Sequence, residues 1–131
     1  MRKKTKSNKD SISTIAGSGN SGKQNGNALI ASFNSPNSIA IDWNNSPEII
    51  YVADSGNHCI RKINQTSSIV STFAGNCSYS TFGFQNGSLL SALFYSPASI
   101  RYISSFPGTK LLVVDSGNNV IRTIDISLSL I

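Results

Sequence analysis

The chain has 131 residues, 39% hydrophobic and only 13% charged, with a net charge of +5 at pH 7. That length suits one ordinary domain with a modest core. No apolar run nears the ~20 residues of a membrane span, and the basic start lacks the apolar stretch of a signal peptide, so the default compartment is the cytosol.

The excess charge is local. Residues 1–10 carry Arg2, Lys3, Lys4, Lys6 and Lys9 against Asp10, whereas the other 121 residues carry six cations against five anions. Residues 1–11 are therefore expected to be a basic, disordered tail and residues 12–131 the folded part. A folded part near neutrality argues against a nucleic-acid surface.

In chain order, Ile12–Ala16 is β-branched, ends at Gly17 and predicts a strand. The next segment, Gly17–Asn37, opens with a Gly- and Ser-rich run to Lys23. It lacks the GxxxxGK[ST] form of a phosphate loop and reads as a turn. Its middle, Ala28–Phe33, suits a short helical turn. Strands a to d follow at Ser38–Asp42, Glu48–Ala53, Cys59–Asn64 and Ile69–Ala74, joined by links carrying Gly, Pro, Asn or Ser. Strand b is apolar almost throughout, so its sheet is expected to be covered on both faces. A second long link, Gly75–Ala98, precedes strands at Ser99–Ile103, Lys110–Val114 and Val120–Ile126.

The second set repeats the first. Gln24-Asn25-Gly26, Ala31-Ser32-Phe33-Asn34-Ser35-Pro36, Asp54-Ser55-Gly56-Asn57 and Ile60-Arg61-Lys62-Ile63 each recur 61 positions later. Upstream, Ser13-Thr14-Ile15-Ala16-Gly17 recurs as Ser71-Thr72-Phe73-Ala74-Gly75 at 58, so the second link carries three extra residues. A constant offset across four motifs marks a structural repeat. The fold expected is all-β: antiparallel four-stranded meanders, with one full unit, an orphan strand at Ile12–Ala16 and a unit without its fourth strand.

The segments Ser35–Asp42, Tyr51–Ile63 and Val70–Gly75, with Asn57-His58-Cys59 at the turn, resemble the NHL repeat. The second copy has Asn118-Asn119-Val120 there and so lacks the His. The likeness extends over residues 12–126. It implies blades of a β-propeller, commonly six-bladed, that binds proteins, RNA or other ligands; the amidating-lyase relatives use a metal held by several His. Propellers have about four to eight blades, so the chain is expected to be a piece of a larger propeller or to self-associate through open blade edges.

The chemistry-bearing residues point away from catalysis. His58 is the single His, and Cys59 and Cys77 supply too few ligands for zinc. No GxSxG or triad context exists. No catalytic residue, metal ligand or cofactor is expected. Cys59 and Cys77 are either one disulfide or two free thiols. Sequons at Asn44, Asn64, Asn76 and Asn86 hint weakly at an extracellular setting. Asp54 and Asp115 read either as a carboxylate ring or as turn acceptors, with Gly56 and Gly117 at positive φ. Arg61 and Arg122 read as anion anchors or as inter-blade ion pairs.

In a meander the d–a and b–c links emerge on one rim, where binding residues concentrate. The expected ligand rim comprises Lys23, Gln24, Asn25, Asp54, Asn57, His58, Gln85, Asn86, Asp115 and Asn118. The function expected is a non-enzymatic binding or scaffold module for a protein partner. The alternatives are part of a propeller enzyme or an RNA-binding propeller.

Overall fold

The computed structural model describes residues 10–44, 49–105 and 108–126. Most of the basic tail and part of the first a–b link lie outside them.

Among the described residues, eight strands form two antiparallel sheets. They are β1 (Gly26–Asn27), β2 (Pro36–Asp42), β3 (Ile49–Asp54), β4 (Cys59–Asn64), β5 (Ile69–Ala74), β6 (Pro97–Ser105), β7 (Gly108–Asp115) and β8 (Val120–Asp125). The first blade has the order β1-β5-β4-β3-β2 and the second β6-β7-β8. The c and d strands of the first unit fall where the sequence places them. The a strands begin earlier, at Pro36 and Pro97. Both residues cap their strands where a missing N–H costs no ladder bond.

Alternation along β3 explains why a fully apolar strand is needed. Tyr51 and Ala53 face the second blade, in one core with Ile60, Ala74, Ile100, Leu111, Val113 and Ile124. Ile50 and Val52 face the other way, into a core with Ala28, Ala31, Ile63 and Val70. The second blade is covered on one face only: Val114 is 39% exposed and Ile121 64%. Two-sided burial therefore holds for strand β3 of the first blade and not for the second blade, whose outer face has no neighbour among the described residues.

Ile12–Ala16 forms no strand, contrary to its sequence pattern. Its apolar residues have no ladder beside them, and Ile12 is fully exposed. The helical turn does form: the Ile30 and Ala31 amides donate to the Asn27 carbonyl (3.0 and 2.8 Å), and the second copy does the same from Ser91 and Ala92 to Ser88. Phe94 is buried between the blades and Phe33 is half-buried on the outer core.

Candidate functional site

The b–c turns are short 3-10 turns, Ser55–Asn57 and Ser116–Asn118. Each closes on a residue in the left-handed region, His58 at φ 56° and Asn119 at φ 58°. The glycines do not supply that conformation, correcting the sequence expectation. Gly56 is needed for close approach: a Cβ there would lie 2.5 Å from Asn34 Cγ and 2.8 Å from its carbonyl oxygen. At Gly117 a Cβ would lie 2.3 Å from Tyr95 Cγ. This approach lets the Gly56 amide donate to the Asn34 carbonyl (2.8 Å) and the Gly117 amide to the Tyr95 carbonyl (2.7 Å), tying the long link to the turn.

Beneath each turn lies a buried ion pair. Arg61 Nη1 is 2.8 Å from Asp54 Oδ2, both side chains being fully buried. Arg122 Nη1 is 2.7 Å from Asp115 Oδ2. In each case the two residues sit on adjacent strands of the same blade, so these are not inter-blade bridges. The rest of each fork holds the long link. Arg61 donates to the Ser32 carbonyl (2.9 Å), the Gln24 carbonyl (3.0 Å) and Asn25 Oδ1 (2.7 Å). Arg122 donates to the Leu93 carbonyl (2.9 Å), the Gln85 carbonyl (2.8 Å) and Asn86 Oδ1 (2.8 Å). Phe33 covers the Arg61 guanidinium at 5.0 Å; Phe84 and Phe94 cover that of Arg122 at 5.1 and 4.9 Å.

The carboxylates are fully engaged. Asp54 Oδ1 accepts from the Asn34 amide (2.8 Å), and Oδ2 accepts from Asn57 Nδ2 (2.8 Å) as well as from Arg61. Asp115 accepts from the Tyr95 amide, Asn118 Nδ2 and Arg122 in the same way. Asn57 also donates to the Gly22 carbonyl (2.8 Å) and Asn118 to the Gly83 carbonyl (2.7 Å).

The expected ligand rim is thereby divided. The structure brings Gln24, Asn25, Asp54 and Asn57 into one network and Gln85, Asn86, Asp115 and Asn118 into its copy. Asp54, Asn57 and Asp115 are buried. Their polar atoms serve the fold, which corrects their placement on a ligand-facing surface. Lys23, Gln24, Asn25, Gln85 and Asn86 remain exposed. The Lys23 side chain lies outside the network.

His58 belongs to a different cluster. Its Nδ1 accepts from the Ser96 amide (2.9 Å), which puts the neutral proton on Nε2. Burial lowers its pKa from the usual histidine value, against a smaller raising effect of Asp115. Phe82 stacks on Tyr95 at 4.4 Å between centroids, and both rings lie against His58, at 4.9 and 5.4 Å. Next to His58, Cys59 is bonded to Cys77 with a Cα–Cα distance of 4.9 Å, so the two-thiol alternative does not hold. The bond fastens the start of the second link to strand β4.

Sequence reasoning did not single out this aromatic group. Yet the 61-residue offset shows it: Phe82, Phe84 and Tyr95 stand where the first copy has Ser21, Lys23 and Asn34. Phe82 is 46% exposed, Phe84 62% and nearby Tyr79 71%. The first copy builds the same latch without these rings, so the blade does not require them. Among the described residues no group of three His, Cys, Asp or Glu side chains is placed to hold a metal ion, and no helix is long and apolar enough to cross a membrane.

Stacked antiparallel meanders, each tied at one rim by a repeated turn, define a β-propeller-type repeat protein. The sequence pattern of the NHL repeat family matches residues 33–63, in the first of the two copies. The chain is 48% identical over 64 residues to NHL repeat-containing protein 2 of Gallus gallus, covering 49% of this chain and 8% of that protein. It is 40% identical over 65 residues to Protein SUPPRESSOR OF QUENCHING 1, chloroplastic, of Arabidopsis thaliana, covering 50% of this chain and 6% of that one. Its fold matches an auxiliary nutrient binding protein of Bacteroides thetaiotaomicron with a TM-score of 0.72 and 27% identity, over 83% of this chain and 27% of that structure. The chain thus spans less than a tenth of the curated relatives it matches. A general binding or scaffold role accords with the NHL propeller fold.

Proposed function

We propose that this chain is a non-enzymatic binding module that holds a protein partner at the rim of its second NHL repeat. The observation carrying this reading is the replacement of Ser21, Lys23 and Asn34 by Phe82, Phe84 and Tyr95 on an otherwise repeated scaffold. Exposed aromatic rings on a rigid base are the residues that contribute most at protein interfaces. The base is rigid because the disulfide, the Arg122 fork and the Gly117–Tyr95 bond all fasten the same link. Exposed Gln85 and Asn86 supply a polar border. The non-enzymatic part rests on the two buried carboxylates being consumed by arginines and on His58 being held by a backbone amide. The auxiliary nutrient binding protein it resembles in fold is, by its name, also a binding protein.

The test is a photo-reactive amino acid placed at Phe84, and separately at Ser67 on the exposed c–d turn, in cells producing the chain. A discrete protein adduct from position 84, absent at 67 and lost on Phe82→Ala, is expected. Adducts of the same pattern from both positions, or one insensitive to Phe82→Ala, would overturn the reading.

A further inference from the structure

The 61-residue offset relates contacts as well as residues. In the first blade, β5 lies between β4 and the two-residue strand β1, with Gly26 opposite Val70 and Asn27 opposite Ile69. The counterparts of the two flanking elements exist in the second blade: β8, and Gly87-Ser88. Among the described residues no strand lies between them, and an open groove of about 620 Å³ runs along Val120–Asp125 and Asn86–Leu89. Its floor is buried, but its rim is left uncovered at Leu89 and Ile121. Leu89 is 40% exposed, where its counterpart Ala28 is 4% exposed.

The strand that matches this groove is present elsewhere in the chain. Residues 13–17 repeat residues 71–75 of β5 and its end. They also sit against the first blade as that segment sits against the second. The Gly17 amide donates to the Ala28 carbonyl (2.8 Å), and the Gly75 amide donates to that of Leu89 (2.8 Å), the position 61 residues on. Gly17 and Gly75 both have positive φ, 108° and 87°. Gly17 meets Phe33 as Gly75 meets Phe94. The segment is therefore held in the position of a fourth strand with no ladder beside it among the described residues. Ile12, the counterpart of fully buried Val70, is fully exposed.

The flanking faces correspond in the same way. Ile39 on the open face of the first blade is 58% exposed, while its counterpart Ile100, covered by the neighbouring blade, is 5% exposed. On the opposite outer face Val114 and Ile121 are exposed, whereas their counterparts Ala53 and Ile60 are fully buried between the blades. Arg101, Lys110 and Asp125, in place of Ala40, Ile49 and Asn64, are the added charges on that face, and the last two pair with each other at 3.6 Å.

We propose that copies of this chain associate head to tail, residues 12–16 of one copy adding as the fourth strand to β8 of the next. This is strand addition at a sheet edge, with backbone bonds supplying affinity and the Ile12 side chain the register. The β4–β5 register, Arg61 opposite Thr72 and Lys62 opposite Ser71, fixes the pairing: Arg122 of the copy that receives the strand lies opposite Thr14, and its Thr123 opposite Ser13. The outer face bearing Val114 and Ile121 then covers exposed Ile39 of the copy that supplies the strand. The interface is heterologous, so it closes only as a ring. With about four to eight blades in a propeller, a ring of two-blade chains holds about two to four copies.

Sedimentation of the full chain over a concentration series tests this. An assembly of two to four times the 14.0 kDa chain mass is expected. Ile39→Glu and Ile121→Glu change exposed residues on opposite faces, and each alone is expected to give a monomer with an unchanged far-ultraviolet spectrum. Mixed, they are expected to form a one-to-one dimer, because each retains one intact face. Register is read by mixing Ser13→Cys with Thr123→Cys, differently tagged, which should yield a mixed disulfide dimer; Ser67→Cys in place of Thr123→Cys should not. A wild-type chain that stays monomeric at every concentration would overturn the proposal. So would an assembly indifferent to both glutamates, or a mixture that remains monomeric.

Discussion

Arg61 and Asp54 meet with no solvent around them, at 2.8 Å, and the same chain builds that contact a second time from Arg122 and Asp115. A buried pair is not in itself a source of stability, since both charges lose their water. Here the guanidinium does more than neutralise a carboxylate. Its remaining donors hold the carbonyls and the Asn side chain of a long link that has little core of its own. Removing one partner leaves a buried, uncompensated charge. Arg61→Met is therefore expected to cost about 3–5 kcal/mol in chemical denaturation. Arg61→Lys is also expected to destabilise, because one ammonium cannot reach the acceptors the fork spans.

Gly56→Ala is expected to destabilise by about 1–3 kcal/mol, as overpacking does where backbone must move. The clash is with the Asn34 carbonyl as well as its side chain, so Gly56→Ala combined with Asn34→Ala recovers only part of the loss. Thermal unfolding of the single and double variants measures it.

The Cys59–Cys77 bond closes a segment with a sequence separation of 18. Its loss in Cys77→Ser is expected to lower stability by about 3 kcal/mol, from the chain entropy regained in the unfolded state. Amide exchange in the variant should rise first across residues 76–84, since the bond fastens that stretch to β4.

His58 gives the protein a pH dependence whose sign follows from its lowered pKa. The unfolded chain takes up a proton near the ordinary value of about 6.5, the folded one only at lower pH. The unfolded state thus binds more protons as pH falls through that value. Stability is full above it, declines as pH drops below it, and levels off below the folded pKa. His58→Asn keeps the left-handed turn, as Asn119 shows in the second copy, and is expected to abolish this slope in denaturation measured from pH 7.5 to 5.

The strands were legible in the sequence because β-branched runs are punctuated by Gly, Pro and Asn, and because a fixed offset shows each of them twice. The propeller blade followed from the likeness of Ser35–Asp42, Tyr51–Ile63 and Val70–Gly75 to the NHL repeat. Ile12–Ala16 was misread because a strand needs a ladder as well as a pattern, and none lies beside it. At the rim, Asp54 and Asn57 carry ligand-like chemistry, and residue type alone does not say whether such groups face water or an arginine seven residues away. Gly56 was assigned a positive φ that His58 holds, since short 3-10 turns and type II turns share composition. The aromatic group at Phe82, Phe84 and Tyr95 was visible only on comparing the copies for their differences.

Amide hydrogen exchange across residues 22–34, in the wild-type chain and in Arg61→Met, tests most directly whether the buried pairs hold the rim. Near the latch, the Gly22 and Ser32 amides donate to the Phe33 and Gln24 carbonyls and the Arg61 fork holds the Ser32 and Gln24 carbonyls, while Gly26–Ala28 bond separately to β5 and Ser68. Loss of protection confined to this link, with β3 and β4 still protected, is the outcome expected. Unchanged protection there would contradict the account, leaving Arg61 and Asp54 without the role assigned to them.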